Sequence, residues 1–552
     1  MTIEPHRSRT IAFTAAALAA AFVISWFAAP AARASFIESL GMGSRAISMG
    51  NAFIGVADDP SANYYNAAGL TQLIGGPKSD SMFTTNIVGL RFHYSEPITN
   101  DLSHVAPGER VNMDSKFPSW AFEPAGPFGF ELSDRLYLAP LPIQTPFAGS
   151  IQFPSDRGDA RYTSAEVGQI FVTWSPSIAA KATDWLSIGV GFDLMILDDV
   201  WEKAVIGDGA VSEAAIQSLA QAVGGPAPKT LNQTCSHLNL PSILNTCDGK
   251  DDGYTLLRAA QRFPTGLSPV NDANLDFQTP GYHVGLMFFP MDRLRFGLMY
   301  RSGLQPVIHG SIESRFDPSI PEQISKVLAT GDDQKKMWLR FPLPQIAGAG
   351  VGIDVTEELL WSVDWEWVDW GSARNQDVVH VAGNGLSPIT ILPGILNIQQ
   401  PGFTKIVLPR HEWHAVHSVR TGLEYKPDFL GGLRLNAGFW YDPTPTPTVD
   451  FAPDSDPGER FVYSGGLGWY GLWDGFLDAA AHVQWVTVRD RHIGLGQSKI
   501  LGGSTQLPAP AIGADAAANP ASANSSFFPN DTFSMVFGGE VIDFGVTLTV
   551  HM

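Results

Sequence analysis

Charge and cysteine are both scarce in this chain of 552 residues. Asp, Glu, Lys and Arg make up 16% of it, against the ~25% usual for soluble domains. Only Cys235 and Cys247 could form a disulfide, so no disulfide framework carries the fold. They lie in a polar stretch, and pairing in an outer loop is expected if the chain reaches an oxidising compartment. A metal pair is the weaker alternative, because no further Cys or close His completes a tetrahedral set. Basic residues are outnumbered, 35 against 55 acids, giving a net charge of −20; nucleic acid is not an expected partner, since it asks for clustered Lys and Arg. Gly41-Met42-Gly43 lacks the preceding strand and third glycine of a nucleotide loop. No enzyme activity and no cofactor are expected. Helical periodicity is nearly absent after Ser35.

What is present begins with an export signal. Arg7 and Arg9 precede an uncharged run from Ile11 to Ala32, and Ala32-Arg33-Ala34 has the small-x-small form of a signal peptidase site. This reads as a secretory signal peptide over residues 1–34, with a membrane anchor as the alternative. Cleavage leaves a mature chain of net charge −22.

The mature chain alternates with period two. Ile188, Val190, Phe192 and Leu194 share one face of a strand, as do Tyr282, Val284, Leu286 and Phe288. Leu294, Phe296, Leu298 and Tyr300 oppose Arg295 and Arg301. Trp361, Val363, Trp365 and Trp367 oppose Ser362, Asp364 and Glu366. Side chains two apart lie on the same face. A soluble sandwich shares this alternation, but the connections separate the cases. About fourteen strands can be marked between 81 and 552, and short and long connections alternate. The short ones include Ser133-Asp134, Pro176 to Thr183, Pro290 to Asp292, Thr356 to Glu358 and Asp474-Gly475. Sorting of loops by parity is the mark of an all-β transmembrane antiparallel barrel with short periplasmic turns and long outer loops, and hydrocarbon forbids an open sheet edge. The barrel is expected over 77–552, with long loops near 200–275, 310–340, 372–410 and 490–531. Trp370, Trp440, Trp469 and Trp473 recur at strand ends, where a ring with a polar atom suits headgroup depth.

Residues 35–76 differ from the rest. They are rich in Gly and Ala, show no alternation, and carry turn chemistry at Asp58, Asp59, Pro60, Ser61 and Asn63. This stretch resembles the N-terminal hatch of the FadL/TodX family of outer-membrane transporters for long-chain fatty acids and aromatic hydrocarbons. The matching text is Gly43 to Gly50 with Arg45 and Ala46, then Ala57-Asp58-Asp59-Pro60-Ser61-Ala62, then Tyr64-Tyr65-Asn66-Ala67-Ala68-Gly69-Leu70. Pro142 to Gly149, Gly422 to Pro427 and Leu433 to Pro443 agree with it too. The resemblance implies a fourteen-stranded barrel plugged by the hatch, passive uptake of hydrophobic small molecules, and sideways release into the membrane at an inward kink of the third strand. It implies the Gram-negative outer membrane, contact with its lipid and lipopolysaccharide, and help from the barrel-assembly machinery; a monomer is expected. Asn66, Ala67 and Ala68 fall on the family's Asn-Pro-Ala motif beside that kink. Ala67 departs from the proline, which removes a φ restraint and restores an N–H. Met552 stands where the family more often ends on an aromatic residue.

Two long loops hold amphipathic helical patterns, with Ile216, Leu219 and Val223 on one face and Ile324, Val327 and Leu328 on another. The family makes them candidates for the first landing site of an apolar substrate; covering the pore is the alternative. Asp248, Asp251 and Asp252 do not fit a calcium loop, and His411, His414 and His417 do not share one strand face. The rival to transport is an adhesion or structural barrel whose long loops bind external partners.

Overall fold

A computed structural model describes residues 41–95, 110–114, 119–123, 127–152, 166–205, 258–263, 280–315, 329–330, 333–373, 376–381, 389–391, 398–400, 405–409, 413–451, 458–494, 497 and 535–552. The signal segment, Cys235, Cys247, His411, the acidic turn at 248–252 and all six candidate loop residues, Ile216, Leu219, Val223, Ile324, Val327 and Leu328, lie outside them.

Fourteen antiparallel strands close into a barrel. In chain order they are β1 (Ser79–Ser95), β2 (110–114, 119–123 and 128–133), β3 (136–139 and 143–152), β4 (166–174 and 177–181), β5 (Leu186–Val205), β6 (258–263 and 281–291), β7 (294–301 and 307–315), β8 (333–340 and 346–354), β9 (359–368 and 376–381), β10 (405–409 and 416–425), β11 (Leu433–Asp442), β12 (Arg460–Gly471), β13 (Leu477–Ile493) and β14 (Met535–His551). Each pairs with its sequence neighbour. Closure is made by β1 against β14 over a continuous register from Asp80↔His551 to Ser95↔Val536.

The alternation in the sequence becomes the two faces of the wall. Val190, Phe192, Tyr282, Leu298, Trp361, Trp365, Val483, Trp485, Val546 and Leu548 are exposed on the outside. Their neighbours Asp193, His283, Arg301, Asp364, Glu366, Gln484 and Thr547 are buried on the inside. His417 points outward and stacks on Trp365, with ring centroids 5.6 Å apart.

Three expectations change. The strands run further than the sequence pattern reached, so 200–205, 258–263, 310–315, 333–340, 376–381 and 405–409 are wall where long loops were expected. Their polar and mixed composition hid them, because wall beyond the apolar belt need not alternate. Residues 329–330, 389–391 and 398–400 form a further three-stranded sheet inside the loop ranges. Residues 177–181, assigned to a turn, continue β4 after a break at Ser175-Pro176, since a proline ends one stretch of ladder without ending the strand's course.

Residues 41–76 are short helices and turns: α1 (Ser44–Ser48), α2 (Ala62–Tyr65) and a 3-10 turn at Ala67–Leu73. Ala46, Ile47, Met49, Phe53 and Ala62 are wholly buried. Glycines on the inner wall make room for this segment's backbone. A Cβ at Gly438 would stand 2.0 Å from the Gly50 nitrogen, one at Gly297 2.0 Å from the Ile54 oxygen, and one at Gly189 2.3 Å from the Ala67 carbonyl carbon. Those separations are far inside van der Waals contact, so any side chain must displace the segment. Gly297→Val and Gly438→Val should therefore leave the wall intact but unseat residues 41–76. Limited proteolysis should cut within that segment in the variants, while the heat-modifiable gel migration of the barrel stays unchanged.

Candidate functional site

The interior is organised around Arg45. It sits on α1 and is buried. Its Nε and Nη2 donate to both oxygens of Glu424 on β10, at 2.6 and 2.9 Å. Its Nη1 donates to Asp58, and its guanidinium lies 5.2 Å over the Phe53 ring. Arg295 on β7 joins Asp58 to Asp354, at 3.2 and 3.4 Å, and Arg434 and Lys426 close on Glu424. Two-pronged Arg–carboxylate contacts fix orientation as well as charge. Burial pushes the Asp58 carboxyl up, yet the pull of Arg45 and then Arg295 outweighs it and holds the group well below the usual carboxylate range. Burial wins at Asp59, whose pKa is raised despite Arg45.

Other polar contacts tie the segment to the wall all round. Ile54 N donates to Asp364 on β9 at 2.6 Å, Gly50 N to Ser464 on β12 at 3.0 Å, and Ser44 N to Thr547 on β14 at 2.7 Å. Asn63 donates to the Ser175 carbonyl in the β4 break. Two Ser–His–Asp chains brace the interior: Ser44–His482–Asp543, at 2.9 and 3.1 Å, and Ser177–His283–Asp193, at 2.7 and 3.2 Å. Both serines are buried.

Asn66 is fully engaged. Its Nδ2 donates to the Ile54 and Leu286 carbonyls, each at 3.1 Å, and its Oδ1 accepts from Ala68 N. Ala67 and Ala68 are buried, against Gly189 of β5 and Gly285 of β6. Asn66 thus bridges the segment to β6. The residues beside β3 are Ala57, Ala62 and Leu70, which cluster with Tyr137 and Ala139. The wall glycines, Glu424 and Tyr137 were not singled out from the sequence. Glycine at inward parity was the available signal, as in Gly348, Gly350 and Gly352.

A small cavity of about 30 Å³ lies between the segment and β7–β11, lined by Ile54, Tyr64, Met299, Arg301, Ile346, Glu366, Arg420 and Trp440. Arg420 pairs with Glu366 and stacks over Trp440. Towards the long-loop side the inward positions turn apolar: Val368, Val416, Val462, Val486, Phe537 and Val541 are buried, and Phe171 of β4 meets Phe341 with centroids 5.0 Å apart.

The wall has one seam on its β3 side. Among the described residues β2 and β3 pair only through Phe130↔Leu138, Glu131↔Tyr137 and Ser133↔Leu136. Above Pro140-Leu141-Pro142, residues 143–152 pair with β4 alone, and 119–123 pair with β1 alone, among the described residues. Pro140, Pro142 and Pro146 have no N–H to offer a ladder.

The family model for outer membrane protein transport proteins (OMPP1/FadL/TodX) matches residues 21–491. The chain belongs to that family. It is an outer-membrane β-barrel transporter for hydrophobic molecules, in the Gram-negative outer membrane. Among solved structures it is similar to a FadL homologue of Pseudomonas aeruginosa, at 14% identity and a TM-score of 0.63, over 94% of this chain and 99% of that one. It is also similar to the toluene transporter TodX of Pseudomonas putida, at 12% identity and a TM-score of 0.52, over 94% and 100%. The toluene transporter TbuX of Ralstonia pickettii matches at 11% identity and 0.52, over 93% and 98%. No curated protein sequence matches the chain.

The Arg45 cluster generates a graded test. Arg45→Met leaves Glu424 buried with only peripheral partners and should weaken docking of residues 41–76 by about 3–5 kcal/mol, read by hydrogen exchange of that segment. Asp58, with its lowered pKa, contributes above its unfolded value of about 3.9 and loses that contribution as pH falls below it. Asp59, with its raised pKa, acts with the opposite sign and favours docking as pH falls. Asp58→Asn should therefore destabilise docking at pH 7 and progressively less as pH falls from about 3.9 towards the lowered folded value, whereas Asp59→Asn should be neutral or stabilising at pH 7.

Proposed function

We propose that residues 41–76 plug the lumen of a membrane-spanning barrel. Apolar molecules of the fatty-acid and hydrocarbon class descend the apolar upper lumen to this plug and leave through the seam between β2 and β3 into the bilayer. The observation that carries this reading is the pairing of an apolar upper lumen with an unpaired stretch of wall. Hydrocarbon penalises unpaired backbone groups, so a seam there implies a use for it. An apolar molecule that slides from the lined lumen into lipid exposes little surface to water on the way. The direction of the inner gradient supports the reading. The charged network of Arg45, Glu424, Asp58 and Arg295 lies at plug level, where it holds the segment, and apolar side chains lie above it beside the Arg460–Asp442 pair. The names of two of the similar structures print toluene as what those proteins transport, which supports a hydrocarbon cargo here. The aromatic exterior supports the membrane position, with Trp361, Trp365, Trp469 and Trp485 facing out.

Uptake of labelled hexadecane, toluene and a long-chain fatty acid, with and without the gene, should separate transport from adhesion; unchanged uptake of all three would reject transport. In planar bilayers, deletion of residues 41–76 should give large steady conductance where the intact protein is closed. Asn66→Leu should keep the barrier closed yet slow delivery, because the Leu286 carbonyl loses its partner. On the outer face, Leu298→Arg should cost about 2–4 kcal/mol near the midplane, measured by urea titration in vesicles.

A further inference from the structure

We propose that Tyr137 is a positioning residue that pins the foot of β3 and so sets how wide the seam above it opens. This rests on the lateral-release reading. Tyr137 lies on the last paired stretch of β3 before Pro140, and no part of it is exposed. Its side chain crosses the whole of β2. A Cβ at Gly129 on β2 would stand 2.5 Å from Tyr137 Cε1 and 3.0 Å from its hydroxyl, so only glycine lets the ring pass. On the far side the hydroxyl donates to Asp80 Oδ2 on β1, at 2.8 Å. The other Asp80 oxygen is 2.6 Å from His551 Nδ1 on β14, and His551 Nε2 is 2.8 Å from Asp478 on β13. The foot of β3 is thereby tied past its neighbour to three strands of the closing side of the barrel.

The same ring touches the plug. Tyr137 and Ala139 pack with Ala57, Ala62 and Leu70. Ala57 has φ 38°, a left-handed backbone that costs a non-glycine residue roughly 1–2 kcal/mol. Among the described residues three residue pairs join β2 to β3, which is a short ladder to resist peeling from a seam. The hydroxyl–carboxylate bond adds a fixed point just below the first unpaired residue. With the pin in place the seam has a fixed lower margin, and the girth of cargo is limited. With the pin released, β3 can peel further from β2, and wider molecules pass.

Tyr137→Phe removes the hydroxyl and keeps the ring against the plug. Uptake of pyrene, a wide four-ring arene, should rise roughly tenfold, the scale of one lost hydrogen bond, while uptake of slim linear hexadecane changes little. Spin labels on Ala121→Cys and Ala148→Cys, in a chain carrying Cys235→Ser and Cys247→Ser, should show a longer and broader distance distribution. Gly129→Ala, which displaces the ring with its hydroxyl intact, should reproduce both effects, and Asp80→Asn, which retains an acceptor oxygen, should preserve the normal pyrene-to-hexadecane ratio. An unchanged ratio and unchanged distances in both Tyr137→Phe and Gly129→Ala overturn the pin. A bis-maleimide tether between positions 121 and 148 distinguishes the deeper failure. If tethering leaves uptake of both molecules intact, cargo does not use the seam at all; if tethering stops uptake while Tyr137→Phe leaves the ratio unchanged, the exit stands and only the pin falls.

Discussion

A peptide group in hydrocarbon has no water to bond, so a sheet that meets lipid must satisfy its own edges. Closure of β1 on β14 follows from that constraint, and so does the division of every strand into an apolar outer and a more polar inner face. The stretch between β2 and β3 stands out because it departs from the constraint. Three prolines at 140, 142 and 146 withdraw three donors within seven residues of one strand. Trp174 compensates in part, its indole donating to the Pro140 carbonyl at 2.8 Å. A wall that gives up pairing at one place, with an apolar lumen behind it, has the form of a side exit.

The interior solves a second problem, that of fitting a compact segment inside a barrel without losing either. Small residues on both partners allow backbone to meet backbone. The charges then orient the contact: Arg45 needs Glu424 and Asp58 together, and removal of any one leaves a buried charge poorly matched. The segment's main-chain donors find Asp364, Ser464 and Thr547 on three separated strands. This distribution holds the segment along β9 to β14, while the β3 side offers it mainly the apolar cluster around Tyr137. Contact that is polar and dense on one side and apolar on the other leaves the β3 side as the easier one to move.

The strand pattern was legible because period two with an apolar outer face is written residue by residue, as at Trp361 to Trp367 and Leu294 to Arg301. Strand number survived errors at the boundaries, since the parity of turns is a global property. The upper strand segments were not legible: 333–340 and 405–409 do not alternate apolar with polar residues at period two. The partners of Arg45 and Tyr137 were also hidden. Glu424 is hundreds of positions from Arg45 and Asp80 is two strands from Tyr137, and only barrel closure brings β13 and β14 to β1. Asn66 was found through its motif text, but its contact with β6 depends on how the 3-10 turn lies along the wall.

The central claim is that cargo leaves sideways. It can be tested by reconstituting the protein in vesicles with quencher-bearing lipids and an apolar-ligand scavenger trapped inside, then adding a fluorescent hydrocarbon. Lateral release predicts that quenching in the bilayer rises first and that the interior scavenger fills only afterwards, at the rate of escape from lipid. Filling of the scavenger before, or without, quenching in the bilayer would contradict it.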